Sequence, residues 1–444
     1  MIKHNFFDDN VLLSSDTAKE LYDEVKSLPI IDYHCHLDSK MIAEDARFDN
    51  IGAFWLAGDH YKWRAMRLCG VDEKYITGDA DYREKFIKYA EIVPKLCGNP
   101  LYYWTHMELS QIFGINDPLN AQTARSIYDE ASIKLRAMSV RTLLQKFGVR
   151  FIATTDDPVD DLRYHGKYGD TVVSPTFRPD KALTLDADYL RRLGEVAKTD
   201  VSTLDGFLVA LTKRLDYFVS KGCRISDHGF EHFPESIATE SRAELLYARR
   251  GEISPDEKSE LFGYLLKFLM CEYKKRGIAV QLHFGVTRNV NAAAFENIGV
   301  DSGFDVMSAP QDVRGIIRFL GSMTDEQRPE ILLYTLNDGQ LRAYSCVTGA
   351  FRGVRLGAAW WFNDTTLGIR RNLETIAEYS VLGTSPGMLT DSRSFSSYAR
   401  FDFFRRILAD LIGGYVERGE YDIVSAETMM RDICYNNAKE LIKL

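Results

Sequence analysis

An α/β fold, a distorted (β/α)8 barrel of the TIM type with a helical insertion after its first strand, is what this sequence predicts. Three observations carry that reading. From Gly148 onward, short apolar runs alternate with helical stretches, the rhythm of parallel βαβ units. Counted with one isolated early run they number eight, which closes such a barrel. Polar residues then gather where the runs end, on the face where a barrel of this kind carries its chemistry.

Composition sets the bounds. The 444 residues are 45% hydrophobic and 27% charged, the balance of a soluble globular protein with ample material for a core. A net charge of −9 with no basic stripe argues against nucleic acid as a partner. No apolar run approaches the ~20 residues of a membrane span, and the first ten residues hold no apolar leader core. Seven cysteines without a C-x-x-C pair fit a reducing compartment, so a cytoplasmic location is expected.

Residues 11–28 read as a helix, with Leu21, Val25 and Leu28 at helical spacing and Asp16 as its N-cap; Pro29 ends it. Ile30 to His36 follows as a buried strand that ends in two histidines. Spaced i, i+2, His34 and His36 share a face while Cys35 points away. Alone the motif is weak, since chance supplies a His-x-His about 0.2 times in a chain of this composition. The division expected is 1–36 for the first helix and strand, 37–147 for a helical insertion, and 148–444 for the rest of the barrel with C-terminal helices. Within the insertion, Tyr82–Leu96 and Ala124–Phe147 carry the helical pattern, broken at Gly98, Pro100, Gly114 and Pro118.

The later strands are read at Val149–Thr154, Thr171–Pro175, Cys223–Ser226, Ile278–Phe284, Ile331–Leu336, Val354–Trp361 and, least regular, Met388–Thr390. Helices are read at Leu204–Ser220, Glu257–Arg276, Asp312–Gly321 and Leu367–Tyr379. A last amphipathic helix around Phe401–Leu411 is expected on the barrel's outside. No Gly-x-Gly-x-x-Gly turn follows the first strand to favour an open doubly wound sheet.

At the strand ends, Asp391 and Arg393 repeat the i, i+2 logic of the histidines. His34, His36 and Asp391, with His283 close by, make a nitrogen and oxygen set suited to zinc or manganese. Arg178, Arg288 and Arg393 stand at three strand ends, and guanidinium forks match a carboxylate. The pair Asp156-Asp157 before Pro158 reads equally well as a turn, and His228 as a structural group.

Several of these segments together resemble the uronate isomerase (glucuronate isomerase) family, a divergent branch of the amidohydrolase superfamily. They are Asp32–His36, Asp59-His60-Tyr61-Lys62-Trp63-Arg64-Ala65-Met66-Arg67, Thr154–Pro158, Thr176–Asp180, Ser226-Asp227-His228, Gln281–Gly285 and Leu389–Arg393. The second is long and specific; the His-x-His and the aspartate are common to the superfamily. The resemblance implies one divalent metal, zinc in the first place and manganese as the alternative, held by His34, His36 and Asp391, with His283 near it. It also implies interconversion of D-glucuronate with D-fructuronate and of D-galacturonate with D-tagaturonate, and self-association. His283 is the last histidine of the chain, and no fourth-strand lysine is present, Ser226-Asp227 standing in its place. A two-metal hydrolase is therefore disfavoured.

An aldose–ketose isomerase needs a base, an acid and a stabiliser for an enediolate. Asp391 is expected to take a hydroxyl proton, and Tyr61, its pKa lowered by metal and arginines, to carry the proton between C2 and C1 with His34 or His60 assisting. His283 completes the catalytic set. Arg178, Arg288 and Arg393 are expected to hold the uronate carboxylate, with Asp227, His60 and Trp360 also binding the substrate; Trp360 is first of all barrel wall. A hydride shift is the competing chemistry. A mononuclear hydrolase and a catalytically dead scaffold are the rival functions.

Overall fold

The computed structural model describes residues 6–444; Met1 to Asn5, part of the stretch read above for a leader, lie outside the described residues. Its parallel strands form two ladders. β1 (Ile30–Asp32), β2 (Val149–Ala153) and β3 (Thr171–Ser174) make one; β4 (Ile225–Phe230), β5 (Ala279–Phe284), β6 (Ile331–Thr335) and β7 (Val354–Leu356) make the other. Pairs run in parallel register, with Phe151 opposite Val172 and His283 opposite Tyr334. Between the ladders pairing thins to isolated bridges, Asp156 with Phe177 and Phe177 with Ser226. Pro175, with no N–H to donate, stands where the first ladder stops. The architecture is a distorted (β/α)8 barrel.

Four strands depart from their predicted spans by more than a residue, and the first of them stops at Asp32 rather than His36, short of a bend at His34. The fourth begins at Ile225 rather than Cys223, because Gly222 turns the chain at φ +92° and the Cys223 amide bonds back to the Phe218 carbonyl. The seventh stops at Leu356 rather than Trp361. Gly357 next passes so close to the Tyr334 ring that a Cβ there would fall 2.0 Å from it, and the chain leaves the ladder. The eighth, Met388–Thr390, is no ladder strand among the described residues. Single bonds hold it against β1: Asp391 N–H to the His34 carbonyl (3.1 Å), His36 N–H to the Ser392 carbonyl (2.9 Å) and the Tyr33 hydroxyl to the Gly387 carbonyl (3.1 Å).

The helices follow their caps. The first, α1 (Asp16–Val25), is capped by Ser15, whose hydroxyl accepts from Ala18 N–H, and not by Asp16, which sits in the first turn. Seven helices lie between β1 and β2: α2 (Ser39–Ala43), α3 (Ile51–Leu56), α4 (His60–Leu68), α5 (Tyr82–Ile92), α6 (Pro100–Phe113), α7 (Ala124–Arg136) and α8 (Val140–Lys146). The helix expected over Ala124–Phe147 is divided because Ser139 leaves the helical conformation to cap α8. Pro100 opens α6 at its first position, where a missing N–H costs nothing. Trp55, Phe86, Tyr89 and Trp104 are buried in this unit. The C-terminal helix Ala399–Glu417 lies outside the strands as expected. It is more deeply buried than a surface helix because α1, α6 and the helices Thr366–Tyr379 and Ile423–Arg431 all pack on it. No helix among the described residues is long and apolar enough to cross a membrane.

Candidate active site

Beyond Asp32 the regular strand ends and the chain bends at His34, with the Cys35 amide bonded to the Ala153 carbonyl (2.9 Å). Cys35 is fully buried on one side, and His34 and His36 turn together to the other. Both imidazoles reach the same atom. His34 Nε2 and His36 Nε2 each lie 3.2 Å from Asp391 Oδ1, with the rings edge-to-face at 5.2 Å. Asp391 adopts a left-handed φ of +46°, which an aspartate tolerates better than most residues. Its other oxygen, Oδ2, accepts from the Trp360 indole N–H. Burial opposes ionisation of Asp391, but the two imidazoles outweigh it and hold the carboxyl well below its ordinary value.

These residues fit a divalent cation. Ligands around a tetrahedral centre with bonds of ~2.05 Å stand roughly 3.3 Å apart. The imidazole–carboxylate spacings match that edge, and the three donor atoms all lie within 4.8 Å of one another. The set is two nitrogens and one oxygen. His283 is outside the group; its Nε2 lies 3.2 Å from Asp227 Oδ1, and its ring packs 4.8 Å from Trp360.

The site opens into a cleft of about 930 Å³ between the barrel end and α3–α4. On one wall, buried Asp227 faces His283 and, at 3.1 Å, Arg178 Nη1; Arg178 also bonds Asp180 through Nε (2.9 Å). Burial works against the Asp227 charge, yet His283 and Arg178 keep its carboxyl far below normal. Asp227 is fully buried behind the cleft surface, its two oxygens paired with His283 and Arg178, which themselves line the cleft. A Cβ at Gly229 would fall 2.2 Å from His283 Cε1, so glycine is what lets this histidine sit there.

On another wall Arg393 and Arg288 share Asp301, and Arg288 lies 5.1 Å over the Trp361 ring. The three arginines are thus divided: Arg288 and Arg393 make a pair, and Arg178 belongs to Asp227 and Asp180. Trp360 is buried yet lines the cleft. It stacks on His34 (4.3 Å) and His283 and anchors Asp391.

Tyr61 reaches in from α4, which Asp59 caps through the Tyr61 and Lys62 amides. Its hydroxyl donates to Asp364 Oδ2 (2.9 Å), and the Arg400 guanidinium lies 5.3 Å over its ring and 3.7 Å from that same oxygen. Burial and the Asp364 carboxylate hold the phenol well above its ordinary value, against the pull of Arg400. Burial raises Asp364 to about 6 against the pull of Arg400. His60 lines the cleft 4.9 Å from the Tyr61 ring, and burial lowers its pKa.

Sequence reasoning assigned nothing to four residues that shape this site. Asp364 closes the Trp360–Asp364 stretch and was visible as a strand end. Asp32 precedes the histidines; its two oxygens accept from Thr390 N–H (2.9 Å) and Thr390 Oγ1 (2.6 Å). Arg400 donates to the Thr390 carbonyl (2.9 Å). Asp301 and Arg400 lie in stretches with no local signal. Asp156 and Asp157 take the turn reading: Asp156 accepts from Thr154 Oγ1 and Thr176 N–H, and Asp157 from Val159 N–H and the Tyr189 hydroxyl. His228 is buried against Tyr273, 3.0 Å from its hydroxyl.

The sequence profile of the glucuronate isomerase family matches residues 3–442. A uronate isomerase of Caldanaerobacter subterraneus is 42% identical, over 98% of each chain. The crystal structure of uronate isomerase from Thermotoga maritima superposes with a TM-score of 0.95 at 34% identity, over 99% of this chain and 100% of that one. That of glucuronate isomerase from Caulobacter crescentus gives 0.92 at 28%, over 98% and 97%.

Proposed function

The chain belongs to the glucuronate isomerase family and is an isomerase, and from that premise we propose the reaction it performs: D-glucuronate to D-fructuronate, and D-galacturonate to D-tagaturonate, by proton transfer from C2 to C1 through an enediol, in hexuronate catabolism. One observation carries the reading. A single cleft holds the His34–His36–Asp391 set on one side and the Arg288–Arg393 pair on another, a place for each end of a sugar acid.

His34, His36 and Asp391 would hold one divalent cation, zinc or manganese. When bound, it supplies positive charge for the oxygens that become anionic in the enediolate. Asp391 takes the anomeric hydroxyl proton as the ring opens and returns it to the ring oxygen, then moves the C2 hydroxyl proton to O1 as the enediol forms and collapses. Tyr61 carries the C2 proton: its phenol proton passes to Asp364, the freed oxygen takes C2–H, and that proton goes to C1. The Asp364 proton then returns, so the couple is restored. Arg400 above the ring favours the phenolate. Asp227 and His283 hold sugar hydroxyls, and His60 and Trp360 line the substrate's path. Arg288 and Arg393 take the carboxylate, with Arg178 adding positive potential behind them. The free cysteines fit a cytoplasmic enzyme, and self-association remains part of the reading.

The test follows ketose formation from D-glucuronate and D-galacturonate, with and without chelator, in deuterated water. Deuterium at C1 of the product is expected. A ketose formed without solvent deuterium, even at long times, points to a hydride shift and refutes the enediol. No ketose from either acid refutes the substrate assignment.

A further inference from the structure

Arg288 and Arg393 do not face the cleft unoccupied. Asp301 stands between them, its Oδ2 2.6 Å from Arg393 Nη2 and its Oδ1 3.6 Å from Arg288 Nη1. All three line the cleft, and their side chains are 38%, 40% and 44% exposed for Asp301, Arg393 and Arg288. We propose that Asp301 is an internal, displaceable carboxylate that occupies the arginine pair until a sugar acid's own carboxylate replaces it. This rests on the uronate reading above.

The geometry separates a displaceable group from a brace. A bracing carboxylate is buried and holds short bonds through both oxygens, as Asp32 does with Thr390 (2.9 and 2.6 Å). Asp301 makes one short contact and one long one, in partial reach of solvent. Its mounting agrees. Asp301 sits at φ +57° beside Val300, which is 65% exposed, and the preceding helix Ala292–Ile298 buries none of its residues. The segment is tied down just after Asp301. Arg67 donates to the Ser302 carbonyl, Arg64 to that of Asp305 (2.8 Å), and Asn289 N–H to Asp305 Oδ1 (2.7 Å). The Asp301 side chain itself is held by the two arginines.

Charge explains why such a group is useful. Carboxylates outnumber lysines and arginines along the cleft lining, so an entering anion gains little until arginines are released to it. At the arginines a sugar acid exchanges one carboxylate for another, the displaced Asp301 turning to the solvent it already reaches. A neutral sugar has nothing to offer the arginines and leaves Asp301 in place. Asp301 thus filters for acids, at the cost of competing weakly with them.

Asp301→Asn tests this, since asparagine is well suited to the left-handed backbone there and its retained fold is checked by thermal melting. The measurements are KM for D-glucuronate and the inhibition constant of D-gluconate, a sugar acid with no carbonyl to isomerise. Both should fall about two- to five-fold, the range an ion pair of this exposure commands as a competitor. A rise in both would make Asp301 a brace for the arginines and overturn the proposal, as would no change. Calorimetric titration of D-gluconate into wild type and variant reads the same exchange without turnover. A wild type that binds D-gluconate but does not isomerise D-glucuronate therefore refutes the substrate reading and leaves the Asp301 question answered separately.

Discussion

Asp32→Ala should cost this protein both stability and its cation. Asp32 is fully buried, and its two oxygens accept from the amide and hydroxyl of Thr390, the residue before Asp391. Truncation leaves two buried donors without partners. At ~1–3 kcal/mol each, the loss of stability is roughly 2–6 kcal/mol. Thr390 keeps its carbonyl bond to Arg400, so the segment loosens without detaching. A supporting partner of a ligand typically contributes about 10- to 100-fold in metal affinity, and zinc affinity should fall by that factor. Urea unfolding and zinc competition against a chromophoric chelator measure the two effects. Asp32→Asn should recover most of both, because the Thr390 hydroxyl can rotate to accept from the new amide. An alanine variant that unfolds with wild type and keeps its zinc would refute the argument.

Three further outcomes follow from the same geometry. Arg393→Met should lower kcat/KM for D-glucuronate about 10- to 100-fold, as loss of a charge-assisted bond does, while leaving D-glucose binding unchanged; equal damage to both would remove Arg393 from the carboxylate. Asp364, raised to about 6, accepts the phenol proton only when ionised, so kcat/KM should drop as pH falls through about 6. Asp364→Asn should abolish that limb along with most of the activity, and a surviving limb would assign it to another group. Burial lowers His228 to about 4 from an ordinary 6.5. The unfolded chain then binds the proton first, so stability present above pH 6.5 is lost as pH falls toward 4, by about 3 kcal/mol. His228→Gln should flatten that slope in unfolding experiments run from pH 7 to 4.

What could be read in the sequence was what repeats over short distances. The i, i+2 spacing put His34 beside His36 on one face, and alternating runs located the strands to within a residue or two where β-branched side chains fill a ladder, as in β5 and β6. Reading failed where tertiary contacts override local pattern. At Gly357, whose amide makes the last bond to the Leu333 carbonyl (2.9 Å), the Tyr334 ring leaves no room for a side chain, and Met388–Thr390 is held by single bonds rather than by pairing. The Tyr61–Asp364 and Arg393–Asp301 pairs join residues 303 and 92 positions apart. Neither leaves a mark on local composition, so the Asp364 carboxylate beside Tyr61 was not legible.

The bonds that tie the eighth segment to β1 also determine when the site comes into being. His34 and His36 lie on one side of that join and Asp391 on the other, 357 residues later than His34. The last turn of the barrel to be synthesised is therefore the one that completes the ligand set, and a bound cation would act as a clasp across the join. Amide exchange along Met388–Ser392 should then report cation occupancy directly, slowing when zinc is present while the ladder of β5 and β6 exchanges at the same rate.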